Sequence, residues 1–274
     1  MATSTRIRLI TFDAYNTLFK PRGGLSAQYA QEAGKLGIRV SKESISRHFG
    51  NAYRKQLGRA PFYGLDRGMT PREWWEELVY DTFRSAGVQK KVLDPKFDRL
   101  FTALYKRFMT AEAYEMFPDV VSTLNDLKTQ GFHMGVISNS DERLVSVVES
   151  LKLNQYFDFI MPSSLAGYEK PHPEIFRKAL RLVGTSVDPK EALHIGDDEI
   201  KDYRGALEAG WNAVLLERCK LSYEDSAPAL FTGHKSHFPK SILTLQDLYP
   251  LVRSLHEPTP VNEIQRASAI KAAV

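Results

Sequence analysis

Between residues 117 and 217, short apolar runs alternate with longer amphipathic stretches, and this alternation limits the possible folds more than any other feature. The apolar runs predict strands and the amphipathic stretches predict helices. The predicted strands are 132–138, 157–162, 192–196 and 212–217, and the predicted helices are Pro118 to Gln130, Glu142 to Leu151, Pro173 to Val183 and Ile200 to Ala209. Strands that alternate with helices predict parallel pairing with crossover helices, which is a doubly wound α/β sheet.

A further strand is predicted at residues 6–12, whereas residues 24–113 contain no convincing strand. This long segment is interpreted as a run of helices, one of which begins at a capping box formed by Thr70 and Glu73. Its apolar stripes indicate the core of a helical bundle in preference to a cofactor cavity. The first strand is therefore expected to join the later sheet, with the helices inserted between them.

These patterns divide the chain into a core, an insertion and a tail. Residues 1–23 and 114–252 are predicted to form the α/β core, and residues 24–113 the all-helical insertion. The last core element is predicted as one amphipathic helix in the stretch ILTLQDLYPLVRSL. Residues 253–274 are expected to be a frayed or disordered tail.

Composition argues against several classes of function. The 37 basic and 33 acidic side chains leave a net charge of +4 spread along the chain, so no nucleic-acid partner is expected. No apolar run approaches a membrane span, so no membrane partner is expected. The single cysteine, Cys219, excludes an internal disulfide and favours a reducing compartment. The expected location is the cytoplasm, with the nucleus and the mitochondrion left open, as is the oligomeric state.

Polar residues follow four successive predicted strands. Asp13 follows the first strand, Ser138 and Asn139 end the second, Lys170 comes shortly after the third, and Asp197, Asp198 and Asp202 follow the fourth. Each residue alone is better explained as a helix cap or a turn residue. In an open parallel sheet, however, ligands bind outside the carboxyl ends of the strands. Their joint occurrence there therefore predicts an active site.

The residue types at these strand ends suit phosphate chemistry. Asp13 and Asp197, with backbone carbonyls and waters, match the oxygen ligands that Mg²⁺ prefers. Lys170 would add positive charge, and Ser138 and the amide of Asn139 would donate hydrogen bonds to phosphate oxygens. Asp13 could then attack phosphorus and form an aspartyl-phosphate. A small phosphorylated or anionic substrate is the expected partner.

Two basic residues in the turn after the first strand are further candidates for substrate binding. Lys20 and Arg22, in FKPRGG, are placed to reach an anionic group of the substrate. Two exposed loop charges would give the same pattern, and both interpretations stay open.

Four segments of the sequence resemble the motifs of the haloacid dehalogenase superfamily: FDAYNTLF, VISNS, EKPHPEIF and HIGDDEIKDYRGALEAGW, in that order. The resemblance implies a Rossmann-like parallel sheet with a helical cap inserted after the first motif. It also implies roles for single residues. Asp13 would be the nucleophile and a metal ligand, and the Tyr15 carbonyl and Asp197 would also bind the metal. Ser138 would bind phosphate, Lys170 would orient it with its charge, and Thr17 would support the loop at the phosphate site. Asp198 and Asp202 would be ligands or supporting acids.

One position departs from the phosphatases that this chain resembles. Those enzymes carry an acid/base Asp two residues after the nucleophile, and here that residue is Tyr15. A phenol with a pKa near ~10 is a poor base at neutral pH. Three functions are compatible with this change: an Mg²⁺-dependent hydrolase of the phosphatase type, a catalytically silent phosphate- and metal-binding protein, and a metal-independent 2-haloacid dehalogenase. The last class has a tyrosine where this chain has Phe176.

Overall fold

The computed structural model describes residues 6–218 and 238–253 of the chain. Apart from Arg253, the predicted tail at residues 253–274 lies outside the described residues, as does Cys219. Within the described part, no helix is both long and apolar enough to cross a membrane.

Six of the described strands form one parallel sheet. In chain order the strands are β1 (Leu9–Phe12), β2 (Phe19–Pro21), β3 (Tyr114–Met116), β4 (His133–Ser138), β5 (Phe159–Pro162), β6 (Ala192–Gly196), β7 (Asn212–Leu216) and β8 (Ser241–Ile242). The order across the sheet is β5-β4-β1-β6-β7-β8, and every neighbouring pair is parallel. All four residues of β1 are buried, as expected for a central strand covered on both faces. The predicted doubly wound sheet is confirmed.

Helices cover the sheet and fill the long insertion. They are α1 (Leu25–Lys35), α2 (Lys42–Arg59), α3 (Pro71–Ser85), α4 (Lys90–Leu93), α5 (Phe97–Arg107), α6 (Val120–Thr129), α7 (Arg143–Ser150), α8 (Ser163–Ala166), α9 (Pro173–Leu182), α10 (Gly205–Glu208) and α11 (Leu248–Arg253). The first five lie between β2 and β3, as the predicted all-helical insertion requires, and we call them the cap. The exact domain boundaries stay a prediction.

A short antiparallel ribbon joins the cap to the core. Strands β2 and β3 pair in the register Phe19 with Met116 and Pro21 with Tyr114. Sequence reasoning missed this ribbon because three-residue strands are too short to show a period. It holds the two crossings between cap and core side by side.

The prediction of one helix over residues 242–255 is wrong. Ile242 instead belongs to β8, which pairs with Leu216 of β7 and adds a sixth strand to the sheet. The amide of Thr244 donates to Asp247 Oδ2 over 3.0 Å, and this capping box starts a short 3₁₀ turn before α11. A two-residue strand that is followed by a capping box cannot be distinguished from the start of a helix by hydrophobic spacing alone.

Another difference lies between β6 and α10. A helix was predicted from Ile200 to Ala209, but residues Glu199–Arg204 form a wider π-helical segment that continues into α10. Asp198 caps this segment by accepting hydrogen bonds from the amides of Ile200 and Lys201. Such π-helical segments occur frequently at functional sites.

The predicted capping box at the start of α3 is present. Thr70 Oγ1 accepts from the amide of Glu73 over 3.2 Å, and the Glu73 carboxylate accepts from the amide of Thr70 over 2.8 Å. This capping box fixes the start of the helix that carries Trp74 and Trp75. Trp74 is buried, and Trp75 reaches the core. We expect Thr70→Ala to lower the free energy of unfolding by ~1 kcal/mol, because orphaned amides lose their acceptor.

The control for this change is Thr102→Ala, the same substitution in the middle of α5. Alanine has the higher helix propensity, so the control should leave stability unchanged or raise it by a few tenths of a kcal/mol. Urea unfolding of the three proteins measures both effects. Equal unfolding midpoints for Thr70→Ala and the parent would show that the capping box does not stabilise α3.

Candidate functional site

The predicted site residues meet at the carboxyl edge of the sheet. Strand β1 lies between β4 and β6, so the residues that follow these three strands are neighbours. Asp13 is held directly after β1, since its amide donates to the carbonyl of Ile195 over 2.8 Å. Ser138 is the last residue of β4 and is buried. Parallel pairing of sequentially distant strands thus assembles the site.

Lys170 is at the centre of this arrangement and is 2% exposed. Its ammonium donates to Asp13 Oδ1 over 2.8 Å and to the carbonyl of Ile137 over 2.6 Å, and it lies 2.6 Å from Asp202 Oδ1. Burial alone would lower the pKa of Lys170, but the two carboxylates raise it above its usual value. Lys170 is therefore a fixed cation that links Asp13 to Asp202.

The backbone of Lys170 is held as firmly as its side chain. The side-chain amide of Asn139 donates to the Lys170 carbonyl over 2.8 Å and accepts from the Lys170 amide over 2.7 Å. On the other side, a Cβ at Gly205 would lie 2.9 Å from Pro171 Cα, so only glycine allows α10 to approach this closely. The side chain of Asn139 thus positions Lys170. Only the backbone amide of Asn139 is left to bind a ligand.

His194 belongs to the same buried network, and sequence reasoning did not select it. Its Nε2 lies 3.2 Å from Asp202 Oδ1, and its Nδ1 lies 2.8 Å from Thr11 Oγ1. This geometry fits a neutral ring that donates from Nε2 to the carboxylate and accepts the threonine proton at Nδ1. Burial, with the charge of Lys170, lowers the pKa of His194 to about 4. The available signal was its position inside the strand that ends at Asp197.

Three carboxylates come close enough to share a cation. Asp13, Asp197 and Asp202 each offer an oxygen, and these oxygens lie within 4.8 Å of one another. Burial raises the pKa of Asp13 to about 7, because it outweighs Lys170, while Asp202 and Asp197 raise it further. Burial and Asp202 also raise the pKa of Asp197. A divalent cation would offset this concentration of negative charge, and an oxygen-only ligand set suits Mg²⁺. The residues present therefore fit the metal.

Asp198 and Asp202 have different surroundings. Asp198 caps the following segment and pairs with Lys201 over 2.9 Å. Its carboxylate does not belong to the three-carboxylate cluster. Asp202 Oδ2 accepts from the amide of Asp198, and burial would raise its pKa, but Lys170 and His194 hold that pKa well below its usual range. The structure therefore brings Asp202 to the cluster and directs Asp198 to the helix start.

Tyr15 faces the cap and does not face the carboxylates. Its ring packs against Phe19 and Tyr114, with centroids 5.2 and 5.8 Å away. Its hydroxyl hydrogen-bonds to the phenol of Tyr114, whose own proton is directed to the carbonyl of Phe108. Burial raises the pKa of Tyr15 well above its usual value. The side chain is a neutral phenol at physiological pH and no base, whereas the role of its carbonyl as a metal ligand stays a prediction.

Within the described part of the chain, the side chains of Thr17, Lys20 and Arg22 make no hydrogen bond or ion pair with the carboxylates of the cluster. Thr17 is fully buried, its hydroxyl makes no hydrogen bond within the described part of the chain, and its carbonyl accepts from Arg218 over 2.8 Å. Lys20 pairs with Glu115 over 3.3 Å, and Arg22 donates to the carbonyl of Tyr114. The two basic residues thus contact the ribbon.

A cavity of about 480 Å³, here called the cap cavity, lies between the cap and the core. Tyr15, Asn16 and Asn139 line its core side, and neither Lys20 nor Arg22 lines it. Asn16 has a left-handed backbone, with φ of 58°, and its side chain hydrogen-bonds to Asp197. The cavity is therefore continuous with the loop that follows the nucleophile candidate.

Two hydrogen bonds tie the cap to the segment after β4. The indole of Trp75 donates to Asp141 Oδ2 over 2.7 Å, and the hydroxyl of Tyr105 donates to Glu142 Oε1 over 3.0 Å. Arg143 donates from Nε and Nη2 to both oxygens of Asp141. Sequence reasoning missed these residues, although SNSDER places charges directly after a predicted site strand.

Gly196 allows Asp202 to reach the network. A Cβ at Gly196 would lie 2.2 Å from both Cγ and Oδ2 of Asp202, and real Cβ contacts are never so short. Gly196→Ala must therefore displace the carboxylate from Lys170. We expect the free energy of unfolding to fall by about 1–3 kcal/mol, as for other overpacked interiors.

Chemical denaturation of Gly196→Ala and the parent measures this loss. Gly58→Ala in α2 is the control, because a Cβ at Gly58 meets no atom within 4 Å. Helix propensity predicts that this control is at least as stable as the parent. A Gly196→Ala protein as stable as the control would show that the Asp202 contact is dispensable.

Comparison with known proteins places this geometry in a family. A family model described as haloacid dehalogenase-like hydrolase matches residues 7–210. The human haloacid dehalogenase-like hydrolase domain-containing protein 3 is similar, with 37% identity over 217 residues that cover 79% of this chain and 84% of the human protein.

Two solved structures share the fold. A defluorinating L-2-haloacid dehalogenase superposes with a TM-score of 0.69 at 18% identity, covering 92% of this chain and 98% of its own. A haloacid dehalogenase-type phosphatase from Thermococcus onnurineus superposes with a TM-score of 0.57 at 23% identity, covering 90% and 98%. At such identities the superpositions show the fold alone. The family-model match, which spans most of the chain, shows that this protein belongs to the haloacid dehalogenase-like hydrolases.

Proposed function

We propose that this hydrolase is Mg²⁺-dependent and cleaves phosphate esters with Asp13 as nucleophile. The observation that carries the proposal is the cluster of Asp13, Asp197 and Asp202 oxygens within 4.8 Å of one another, next to Lys170. Three carboxylates around one ammonium leave excess negative charge. That charge suits a site that binds a divalent cation and, through it, a phosphate dianion.

Asp13 is well placed to attack. Its Oδ1 is fixed by Lys170, its side chain is 11% exposed, and Oδ2 makes no hydrogen bond within residues 6–218 and 238–253. One carboxylate oxygen is thus oriented and the other is available to a reacting phosphorus atom. Bound Mg²⁺ would favour the ionised form of Asp13 and neutralise phosphate charge.

Lys170 and the segment after β4 would orient the phosphate. Ser138 lies at the carboxyl end of β4, next to the strand that carries Asp13. Its hydroxyl and the backbone amide of Asn139 are the neutral donors in the proposal, and Lys170 is the charged one. Thr17 is fully buried and would support the loop from inside the core.

The unusual feature of the proposed mechanism is the missing proton carrier at position 15. The Tyr15 phenol neither protonates a leaving oxygen efficiently nor activates water, because its proton is held by Tyr114 and its pKa is raised. Hydrolysis of the aspartyl-phosphate is then slow compared with its formation. The proposed enzyme accumulates phosphorylated Asp13 during turnover.

A metal-independent dehalogenase is the second candidate, and Tyr15 is the observation that favours it, because halide leaves without a proton. Asp197 argues against it, because this carboxylate adds repulsion near Asp13, which a bound divalent cation would offset. A silent binding protein would retain the cluster without turnover.

Asp13→Asn should abolish hydrolysis of 4-nitrophenyl phosphate, because a carboxamide is no nucleophile. Initial rates with Mg²⁺ and with EDTA, for parent and variant, measure both the residue and the metal requirement, and circular dichroism checks the fold. We expect activity in the parent with Mg²⁺ alone. Parent activity on 2-chloropropionate that persists in EDTA would identify a dehalogenase instead. Phosphate binding without any turnover would identify the silent binding protein.

Tyr15→Asp should raise turnover of the same ester, because a carboxylic acid can protonate the leaving oxygen and the carboxylate that results can then activate water. The gain could reach the general acid–base factor of about 10²-fold. Tyr15→Phe is the matched control, because it keeps the ring and removes the hydroxyl, and its rate should stay near that of the parent. Rapid-quench measurement of phosphorylated Asp13 should show less accumulation in Tyr15→Asp. A strong loss of rate in Tyr15→Phe would contradict the inert role of the phenol.

A further inference from the structure

The cap cavity is enclosed mainly by aromatic rings. Half of the described residues that line it are aromatic, among them Tyr29, Phe101 and Phe108. Aliphatic side chains such as Leu25 and Val79 fill gaps between the rings. Its volume of about 480 Å³ lies in the range of small-molecule sites. Such a lining gains free energy by burying a flat apolar group and by edge-to-face contacts with it.

The charged side chains that line the cavity are all paired: Arg143 with Asp141, and Lys201 with Asp198 over 2.9 Å. Arg143 is stacked between Trp75 and Tyr105, with its guanidinium carbon 5.0 and 4.3 Å from the two ring centroids, and it is bidentate to Asp141. Arg143 Nη1 makes no hydrogen bond within the described part of the chain. A charged ligand group would lose its hydration here without finding an unpaired opposite charge. The cavity therefore favours a neutral group, with Nη1 as a donor to a ring substituent.

The cavity lies on the leaving-group side of the proposed reaction. Its core wall is formed by Tyr15 and Asn16, which follow Asp13 by two and three residues, and by Asn139, whose amide belongs to the proposed phosphate site. A phosphate held between Asp13 and Asn139 would direct its ester oxygen toward this cavity. The group in the cavity is then the alcohol that departs.

The chemistry at position 15 restricts the same group. The Tyr15 ring packs on Phe19 and Tyr114, and position 15 offers no carboxylic acid to the ester oxygen, so the leaving oxygen departs as an anion. A phenol has a pKa near ~10, whereas an alkanol lies near the ~16 of water. An aromatic ring attached directly to the ester oxygen satisfies both the cavity and the missing acid.

We propose that the substrate is a phosphate monoester of a phenol, with its neutral aromatic ring in the cap cavity; this inference rests on the proposed phosphatase function. An Asp13 oxygen bonds to phosphorus, the bond from phosphorus to the phenolic oxygen breaks, and the phenolate departs with the electron pair. Water then bonds to phosphorus and the bond to Asp13 breaks. The proton that this water releases balances the one the phenolate acquires, so ester and water give phenol and phosphate.

Binding of 2-naphthol tests the ring site without any turnover. Quenching of the tryptophan fluorescence, to which Trp75 in the lining contributes, reports binding to the full chain. Val79→Phe adds a ring to the cavity and should weaken binding about 10-fold or more, ~1.4 kcal/mol. Leu25→Phe, at a less buried lining position, is a second variant should the first fail to fold. Val121→Phe on α6, where the parent side chain is 43% exposed, is the control and should bind as the parent does.

Turnover of three phosphates then tests the substrate class. In the parent, kcat/KM for 2-naphthyl phosphate should exceed that for glycerol 3-phosphate by about 10²-fold or more. Acetyl phosphate has a good leaving group without a ring. The ratio of kcat/KM for 2-naphthyl phosphate to that for acetyl phosphate should fall about 10-fold in Val79→Phe and stay constant in Val121→Phe.

The outcomes separate the two proposals. Turnover of acetyl phosphate without preference for the naphthyl ester would overturn the aromatic substrate, and so would naphthol binding that Val79→Phe does not weaken. Either result would leave the proposed phosphatase function standing. No turnover of any phosphate would overturn the proposed function and with it the substrate, even if naphthol binding maps to the cavity. Preference for the naphthyl ester that both filling variants reduce supports the inference.

Discussion

The buried ammonium of Lys170 is the interaction on which the rest of the site depends. A charge taken out of water costs several kcal/mol unless partners repay it, and Lys170 has partners for all of its protons: Asp13, Asp202 and the carbonyl of Ile137. Loss of a single partner would leave one buried ammonium proton without an acceptor, which costs about 1–3 kcal/mol. The position of Asp13 is therefore set by a requirement of the folded core, and the proposed catalysis uses the same position.

That requirement extends into the backbone around the site. Asn139 grips the peptide of Lys170, Gly205 lets α10 approach Pro171, and Gly196 lets Asp202 approach the ammonium. His194 stays neutral beside Lys170, so it supports Asp202 without adding a second positive charge. These contacts join three strand ends into one rigid unit. Under the proposed function, Asp13 held this way needs little reorganisation when a phosphate binds.

The sequence predicted the parts of the fold that have a period or a strand end. Strand–helix alternation located four parallel strands within one or two residues, and polar residues at strand ends located Asp13, Lys170 and Asp197. It missed β8 and the β2–β3 ribbon, because two or three residues carry no period. It missed His194, since a buried histidine in a strand resembles any core residue until its neighbours are known.

The aromatic stripes of the cap show a different limit. Phe101, Leu104 and Phe108 were interpreted as bundle core, and they are indeed buried there, yet they also line the cap cavity. Hydrophobic spacing identifies the face of a helix that avoids water. It does not tell whether that face meets another side chain or an enclosed space, because that depends on how five helices are placed above the sheet.

Tyr15 connects the two halves of the site. A carboxylate at this position would lie against the rings of Phe19 and Tyr114 and near Asp141, where burial and like charge would raise its pKa and disfavour its ionised form. A phenol suits those surroundings, completes the aromatic wall and uses its proton on Tyr114. The aromatic wall and a proton carrier therefore compete for one position. Under the proposed function, an enzyme built with the wall relies on substrates whose leaving group needs no proton, so one side chain sets both the shape of the cavity and the bond that the proposed enzyme can break.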